Sequence, residues 1–341
     1  MRRRLLGALI LTIALPGFAL AVGRPREPRL HPADVPEAPS YVRRIEDTLV
    51  ALRVSAGEDA PSSARLGARR VATGVIFDTR GYAVTVSYAL LDALSIEAKV
   101  RGGGTISARV VAVDLETGLG VVKLEGEGPW PAATLGDTRD VRVGSVGGTV
   151  GVDEDGDLAW VTSHVQAVRR FSGYWEYMLD RALIVGPSTD SWGGSAVVDA
   201  RGAVLGIAAL RLGEPPHVNM AIPIEKFVAV KDELMAAGRV VSRPPRPWLG
   251  LYTIPREGAV IIDGFATSGP ARETALRRGN RILSVNGVTI ASQEEFYEQL
   301  WRGRAGDVIR LAVQRETSVH VIRVPSVDRY RLLGILRGSA R

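Results

Sequence analysis

The stretch Asp190-Ser191-Trp192-Gly193-Gly194-Ser195-Ala196-Val197-Val198-Asp199 leads into a turn at Ala200-Arg201-Gly202 and a strand over 203–207. Two adjacent glycines allow a loop backbone to approach another chain closely, because neither residue carries a Cβ atom. Trp192 precedes the glycines, and an indole has one N–H donor and no nucleophilic atom. The stretch therefore predicts a loop between β-strands whose backbone can approach another chain closely, with an indole just before its two glycines.

Short β-branched runs separated by turn residues surround this loop. After a short helix that runs into a strand over 41–54, the predicted strands of a first set cover 71–78, 82–85, 95–101, 106–113 and 120–124. Those of a second set cover 142–150, 158–167, 178–184, 195–198 and 203–210. Many short strands with almost no helix predict an all-β domain, here a pair of barrels over 41–240. Apolar residues at helical spacing over 224–237 predict one closing helix.

A proline-rich linker over 241–247 separates this domain from a smaller α/β unit over 248–326. In the second unit, Asn286-Gly287 predicts a hairpin turn. Ser292 predicts the N-cap of a helix to about residue 302, with Glu295 completing a capping box. The tail over 327–341 is basic with an apolar patch, so both a short packed helix and an unstructured end remain open.

The N-terminus predicts export. Arg2-Arg3-Arg4 precedes an apolar run that ends in Ala19-Leu20-Ala21, which is typical of a secretory signal peptide over 1–21. The alternative is an N-terminal membrane anchor if the run is not cleaved. Residues 22–40 predict a flexible leader. We therefore expect a periplasmic or extracellular protein, held together by burial rather than disulfides because it has no cysteine.

The composition argues against several functions. The formal charge is +6, but cleavage after Ala21 would lower it to +3, and acidic and basic residues are interspersed, so we expect no nucleic-acid binding. No cofactor motif is present. Residues 153–157 are acidic but lack the spacing of an EF-hand, so we expect no metal site. Asp114 and Glu116 are interpreted as a solvated turn before a strand.

Several motifs, taken in order, resemble those of the HtrA family of exported trypsin-fold proteases with PDZ domains. They are Thr73-Gly74-Val75-Ile76, Gly81-Tyr82-Ala83-Val84-Thr85, Gly120-Val121-Val122-Lys123, Trp192-Gly193-Gly194, Met220-Ala221-Ile222-Pro223, Leu249-Gly250-Leu251, Ser268-Gly269-Pro270-Ala271 and the run from Gly279 to Gly287. The resemblance covers roughly residues 45–325. It implies a mainly β fold, with a chymotrypsin-like double β-barrel followed by a small α/β PDZ domain.

The resemblance also places the catalytic positions, and each carries the wrong residue. The general base maps to Tyr88, the aspartate that orients it to Gly118, and the nucleophile to Trp192. The oxyanion-hole glycine maps to Asp190. Serine needs a neighbouring base, and tyrosine, which titrates near pH 10, is no such base at neutral pH. The mapping predicts a pseudoprotease, with Trp192 either as core filler or as the lid of an apolar groove.

The alternative is an active serine endopeptidase whose catalytic residues have moved. Ser188, Ser191 and Ser195 lie near the nucleophile position, and the chain contains His31, His164, His217 and His320. From their sequence positions, we expect none of these histidines to face residue 192. A serine hydroxyl within hydrogen-bonding reach of an imidazole in the barrel cleft would favour the enzyme.

The resemblance further implies that the PDZ unit binds peptide or protein C-termini by adding them as a strand to a sheet edge. The carboxylate loop would be Trp248-Leu249-Gly250, Leu251 would begin the edge strand, and a helix would form the other wall; the candidate pocket residues on it are Phe296, Tyr297 and Leu300. Family members suggest a homo-trimer or a complex with an active relative. A third hypothesis is that the barrels serve as an assembly surface.

Overall fold

The computed structural model describes residues 37–333. The predicted signal peptide (1–21), residues 22–36 of the leader and residues 334–341 of the tail lie outside the described residues, so the predictions made for them stay predictions. From Pro39 onward the chain forms one unit in which both barrels and the smaller domain contact each other.

The first half folds into a closed six-stranded antiparallel barrel with the strand order β1-β2-β3-β6-β5-β4. Its strands are β1 Leu49–Ala56, β2 Arg69–Asp78, β3 Tyr82–Val86, β4 Ala93–Val100, β5 Thr105–Asp114 and β6 Leu119–Leu124. The short helices α1 Ser40–Ile45, α2 Ser63–Leu66 and α3 Ser87–Leu90 precede or interrupt them. Alternate residues of β1 and its neighbours fill the barrel, and Val50, Leu52 and Ile76 are fully buried.

A second closed barrel has the strand order β10-β11-β12-β9-β8-β7. Its strands are β7 Val146–Val152, β8 Leu158–Gly173, β9 Tyr177–Gly186, β10 Ala196–Asp199, β11 Val204–Leu212 and β12 Val218–Pro223. The β8–β9 hairpin is long, pairing from His164↔Gly186 out to Gly173↔Tyr177, and its turn consists of residues 174–176. The mainly β, double-barrel fold class predicted from the sequence is confirmed.

The closing helix is divided. Helix α4 spans Glu225–Val228 and helix α5 spans Lys231–Ala237, so the prediction of one continuous helix over 224–237 is wrong. The backbone leaves the helical region at Val230, where φ is −128° and ψ is 0°. Val230 is β-branched, which lowers its preference for a helix. The apolar residues keep a helical spacing over 224–237, although the backbone bends between α4 and α5.

The C-terminal domain contains a sheet with the order β14-β15-β16-β18-β19, in which β14 forms one edge. Its elements are β13 Pro247–Trp248, β14 Leu251–Arg256, β15 Ala259–Phe265, β16 Arg281–Val285, β17 Val288–Thr289, α6 Gln293–Leu300, β18 Val308–Arg315, β19 Ser318–Pro325, β20 Val327–Asp328 and α7 Arg329–Leu332. Ser292 caps α6 as predicted, because its side chain accepts a hydrogen bond from the Glu295 N–H.

The turn at Asp114 is not solvated, so that interpretation was wrong. Asp114 is fully buried and accepts hydrogen bonds from Arg243 at 2.7 Å and from the Tyr330 hydroxyl at 3.2 Å. Glu116 pairs with Arg243 at 3.1 Å and with Arg246 at 3.0 Å. The sequence suggested exposure because both carboxylates stand in a turn. Their partners come from the linker and α7, and these contacts hold the linker against the first barrel.

Candidate functional site

A cleft of about 490 Å³ lies beside the loop around residue 192. Its walls include Arg70, Tyr88, Asp190, Ser191 and Trp192. A Cβ atom built on Gly193 would stand 3.2 Å from the Tyr88 hydroxyl oxygen. The structure therefore brings together the positions that the resemblance assigned to the base and to the nucleophile.

The loop keeps the tight turn that a nucleophile would need but presents an indole. The Ser195 N–H donates to the Trp192 carbonyl at 3.1 Å, and the Gly194 N–H donates to Ala208 at 2.9 Å. Gly194 has φ +82°, and a Cβ there would come within 2.1 Å of the Thr73 carbonyl oxygen, so only glycine fits. Trp192 is half-buried in the cleft wall. It offers no atom that could form a covalent intermediate.

Tyr88, at the position that the resemblance assigns to the general base, carries a phenol that stays protonated. Tyr88 lies in α3, and its backbone carbonyl accepts a hydrogen bond from Arg70 at 3.2 Å. Arg70 also donates to the Leu91 carbonyl at 2.6 Å, so the buried guanidinium holds the backbone at Tyr88 and at the residue that follows α3. Burial raises the pKa of the Tyr88 hydroxyl further above its ordinary value. Tyr88 therefore cannot accept a proton at neutral pH.

Gly118, which the resemblance places where the orienting aspartate would stand, has no side chain, and its surroundings leave no room for one. Gly118 has φ +84°, and a Cβ on it would lie 2.9 Å from the hydroxyl oxygen of Tyr177. That hydroxyl donates to the Thr117 carbonyl at 2.6 Å. The Gly118 carbonyl accepts a hydrogen bond from the Ser87 N–H at 2.8 Å, so the position does lie beside α3. Tyr177, which the sequence reasoning missed, fills the space an orienting carboxylate would enter.

Asp190 places a carboxylate at the rim of the cleft. Its side chain is 94% exposed and pairs with Arg211 at 3.3 Å. An oxyanion hole stabilises developing negative charge with inward-pointing donors. A carboxylate at this position adds an acceptor where donors would be needed.

The neighbouring serines make hydrogen bonds that do not activate them. The Ser195 hydroxyl is buried and donates to the Ser191 carbonyl, and the Ser188 hydroxyl donates to the Thr189 carbonyl at 2.9 Å. The ring Nδ1 of His217 lies 2.7 Å from the Gly213 carbonyl. Across residues 37–333, no hydrogen bond joins a serine hydroxyl to an imidazole. His31 lies outside this range.

The predicted carboxylate loop of the C-terminal domain does bind a carboxylate, and it belongs to the same chain. The Leu249 N–H donates to one oxygen of Glu176 at 3.0 Å, and the Leu251 N–H donates to the other at 2.7 Å. Burial raises the pKa of Glu176 to about 7, against the opposing influence of these donors and of Arg329. Glu176 was not singled out from the sequence. Its only local signal is a glutamate in a hairpin turn.

The other residues predicted to bind peptide are buried. Phe296 and Leu300 are fully buried in the core of the C-terminal domain, and Trp248 is 9% exposed. Tyr297 is also fully buried, but its hydroxyl donates to the Gly173 carbonyl at 2.6 Å. Gly250 has φ +77° and continues the loop between Leu249 and Leu251. Their role in binding an external peptide stays a prediction.

Neither a metal site nor a membrane span is found in the described part of the chain. No group of three or more His, Asp or Glu side chains there could hold a metal ion. No helix within residues 37–333 is both long and apolar enough to cross a membrane.

Comparison with known proteins identifies both domains. The family model for a trypsin-like peptidase domain matches residues 72–207, and the model for a PDZ domain matches residues 247–325. The class is therefore a trypsin-fold domain followed by a PDZ domain. Together with its relatives, this combination places the chain in the HtrA family.

Three relatives illustrate the range of similarity. The chain is 25% identical over 340 residues to the serine endoprotease DegS of Escherichia coli, covering 90% of this chain and 93% of DegS. It is 28% identical over 255 residues to HhoA of Synechocystis, covering 65% of this chain and 62% of HhoA. It is 26% identical to a DegP-like protein of Halomonas elongata, named as a probable periplasmic serine endoprotease, covering 72% of this chain and 54% of that protein.

Solved structures support the fold. The HtrA-type protease AlgW with a decapeptide aligns with a TM-score of 0.52 at 20% identity, over 84% of this chain and 97% of AlgW. A serine endoprotease from Yersinia pestis aligns with a TM-score of 0.50 at 21% identity, over 86% of this chain and 99% of that protein. At these identities the likeness describes architecture.

Proposed function

We propose that this chain is an exported HtrA-like pseudoprotease, which binds a peptide or protein partner and regulates or scaffolds protein quality control in the cell envelope. The observations that carry the proposal are that Tyr88 and Trp192 line one cleft and that Gly118 lies beside α3, at the positions that the resemblance assigns to base, nucleophile and orienting carboxylate. None of the three can act as base, orienting carboxylate or nucleophile. Export is supported by the N-terminal sequence and by the periplasmic name of the Halomonas relative.

The barrels retain what a binding surface needs. The cleft is open beside a half-buried indole, and hydrogen bonds from Arg70 hold the backbone of the Tyr88 segment in its wall. A rigid cleft with an aromatic wall can hold an extended peptide without cleaving it. A partner bound here or through the PDZ domain would be retained intact.

An active serine endopeptidase is the competing function, because the relatives are named as proteases and Ser191 lines the cleft. Purified mature protein should be incubated with unfolded casein alongside Ser188→Ala, Ser191→Ala and Ser195→Ala variants. We expect no casein fragments from any of the four proteins. Cleavage by the unaltered chain that is lost in one alanine variant would establish the enzyme and identify its nucleophile.

A further inference from the structure

The tip of the β8–β9 hairpin enters the groove of the PDZ domain. We call residues 173–176 the hairpin tip. It lies between β14, which is the edge strand of the sheet, and α6, which forms the opposite wall. Farther from the turn, Arg170 of β8 pairs with Glu298 of α6 at 2.6 Å. The hairpin therefore follows the path between an edge strand and a helix that a bound peptide takes in a PDZ domain.

The side chain of Glu176 satisfies the carboxylate loop. Its two oxygens accept hydrogen bonds from the N–H groups of Leu249 and Leu251, and the Gly250 N–H faces the same carboxylate. Glu176 is 6% exposed, and Arg329 supplies a nearby positive charge. Successive backbone N–H groups form the kind of concave site that binds anions. The side-chain carboxylate thus makes the contacts available to a terminal carboxylate.

The backbone of the hairpin tip also imitates a peptide. The Thr253 N–H of β14 donates to the Tyr174 carbonyl at 2.8 Å, which adds the tip to the free edge of the sheet. From the other wall, the Tyr297 hydroxyl donates to the Gly173 carbonyl and lies 3.2 Å from the Glu176 N–H. Both walls of the groove therefore bind main-chain groups of the tip, β14 through a backbone N–H and α6 through the Tyr297 hydroxyl, as they would bind an added strand.

The conformation of the tip is unusual for its sequence. Glu176 has φ +56°, in the left-handed region that glycine or asparagine usually occupies in a three-residue hairpin turn. A glutamate in that region is strained, and surrounding contacts must hold it there. The contacts observed at this residue are those of its carboxylate and N–H with the PDZ domain.

We propose that the hairpin tip is the resident ligand of the PDZ carboxylate loop, so that a free peptide C-terminus binds only after Glu176 has left. This inference rests on the peptide-binding part of the proposed function and specifies what occupies that site. The cavity that remains beside Glu176 has a volume of about 40 Å³ and cannot admit a peptide residue. The occupant and its competitor present the same group to the loop, a carboxylate, which is carried by a hairpin side chain in one case and by a peptide C-terminus in the other.

Hydrogen–deuterium exchange of the full mature chain tests the docking. In Glu176→Ala, we expect exchange at the amides of Leu249 and Leu251 to accelerate at least about tenfold, because charge-assisted hydrogen bonds are lost. Glu176→Gln keeps the size and one acceptor oxygen and should exchange at an intermediate rate. Glu273→Ala removes an exposed carboxylate of the same domain away from the hairpin and should match the unaltered chain. Unchanged exchange at residues 249 and 251 in folded Glu176→Ala would overturn the proposal.

A peptide mixture tests the competition. Decapeptides randomised at their last four positions, with free or amidated C-termini, are passed over immobilised unaltered chain and Glu176→Ala. We expect the variant to retain free-carboxylate peptides at least about tenfold more than the unaltered chain does. Equal retention by both proteins would overturn the resident-ligand proposal. Retention by neither would refute peptide binding as the PDZ function, while accelerated exchange would still support the docked tip.

Discussion

The buried carboxyl of Glu176 should make the fold less stable as the pH rises through neutrality. Burial raises its pKa from an ordinary value of 4.5 to about 7 in the folded chain. Between these two values the folded state keeps a proton that the unfolded state has released. The unfolded state therefore binds fewer protons, and stability falls as pH increases. The contribution of the protonated Glu176 to the free energy of unfolding is fully present below about pH 4.5 and is lost as the pH rises through about 7.

The size of this effect follows from the two pKa values. Each pH unit between them corresponds to about 1.4 kcal/mol, so the interval is worth about 3 kcal/mol of unfolding free energy. The groups facing Glu176 include Arg329 and Tyr297. Burial raises the pKa of Tyr297, so it stays neutral throughout the interval. Although burial lowers the pKa of Arg329, Glu176 nearby opposes that shift, and we expect the guanidinium to stay charged.

Urea unfolding followed by tryptophan fluorescence at pH 5, 6, 7 and 8 measures the effect. We expect the stability of the unaltered chain relative to Glu176→Gln to fall by about 2.5 kcal/mol from pH 5 to pH 8, because glutamine does not titrate and pH 5 already lies above the unfolded pKa of 4.5. Glu298→Gln, which alters an exposed carboxylate, should keep the pH dependence of the unaltered chain. Parallel curves for the unaltered chain and Glu176→Gln would refute the reasoning.

Three further substitutions test the packing around the site. Gly118→Asp should destabilise the chain by about 1–3 kcal/mol, because φ is +84° and the new Cβ would meet the Tyr177 hydroxyl; a melting temperature equal to that of the unaltered chain would contradict this. Gly194→Ala should cost more than 2 kcal/mol in urea unfolding, since its Cβ would overlap a backbone oxygen, and a smaller loss would show that the loop can move. Arg243→Ala should destabilise by roughly 3 kcal/mol by leaving Asp114 buried without its cation; the Asp114→Asn, Arg243→Ala double variant should lose much less than the sum of the two single variants, and additive losses would argue against the pair.

The sequence predicted the features that depend on local pattern. The strand runs, the Ser292 cap and the order of the HtrA motifs each leave a signature within a few residues. The identities at positions 88, 118 and 192 could therefore be compared with the catalytic residues of the family before any coordinates were considered. The glycine pair after Trp192 likewise predicted a loop whose backbone comes close to another part of the chain, and a Cβ on Gly194 would indeed meet the Thr73 carbonyl oxygen.

The contacts that the sequence did not predict join residues distant in the chain. Glu176 lies 73 and 75 positions from the N–H groups that it binds, and no periodicity links a hairpin turn to a PDZ loop. Asp114 was taken for a solvated residue because its partner Arg243 is 129 positions away. Tyr177 lies just before the predicted strand over 178–184 and was given no role from the sequence, yet its hydroxyl fills the space beside Gly118. Such contacts are set by how the domains pack.

The most direct test of the inert cleft is covalent labelling of the full mature chain with a fluorophosphonate, read by intact mass. Fluorophosphonates react with a serine that a neighbouring base has activated. We predict no mass increase at neutral pH, for the unaltered chain and equally for Trp192→Ser, because Tyr88 cannot take the proton of a serine. Stoichiometric labelling of the unaltered chain on Ser188, Ser191 or Ser195 would contradict the account.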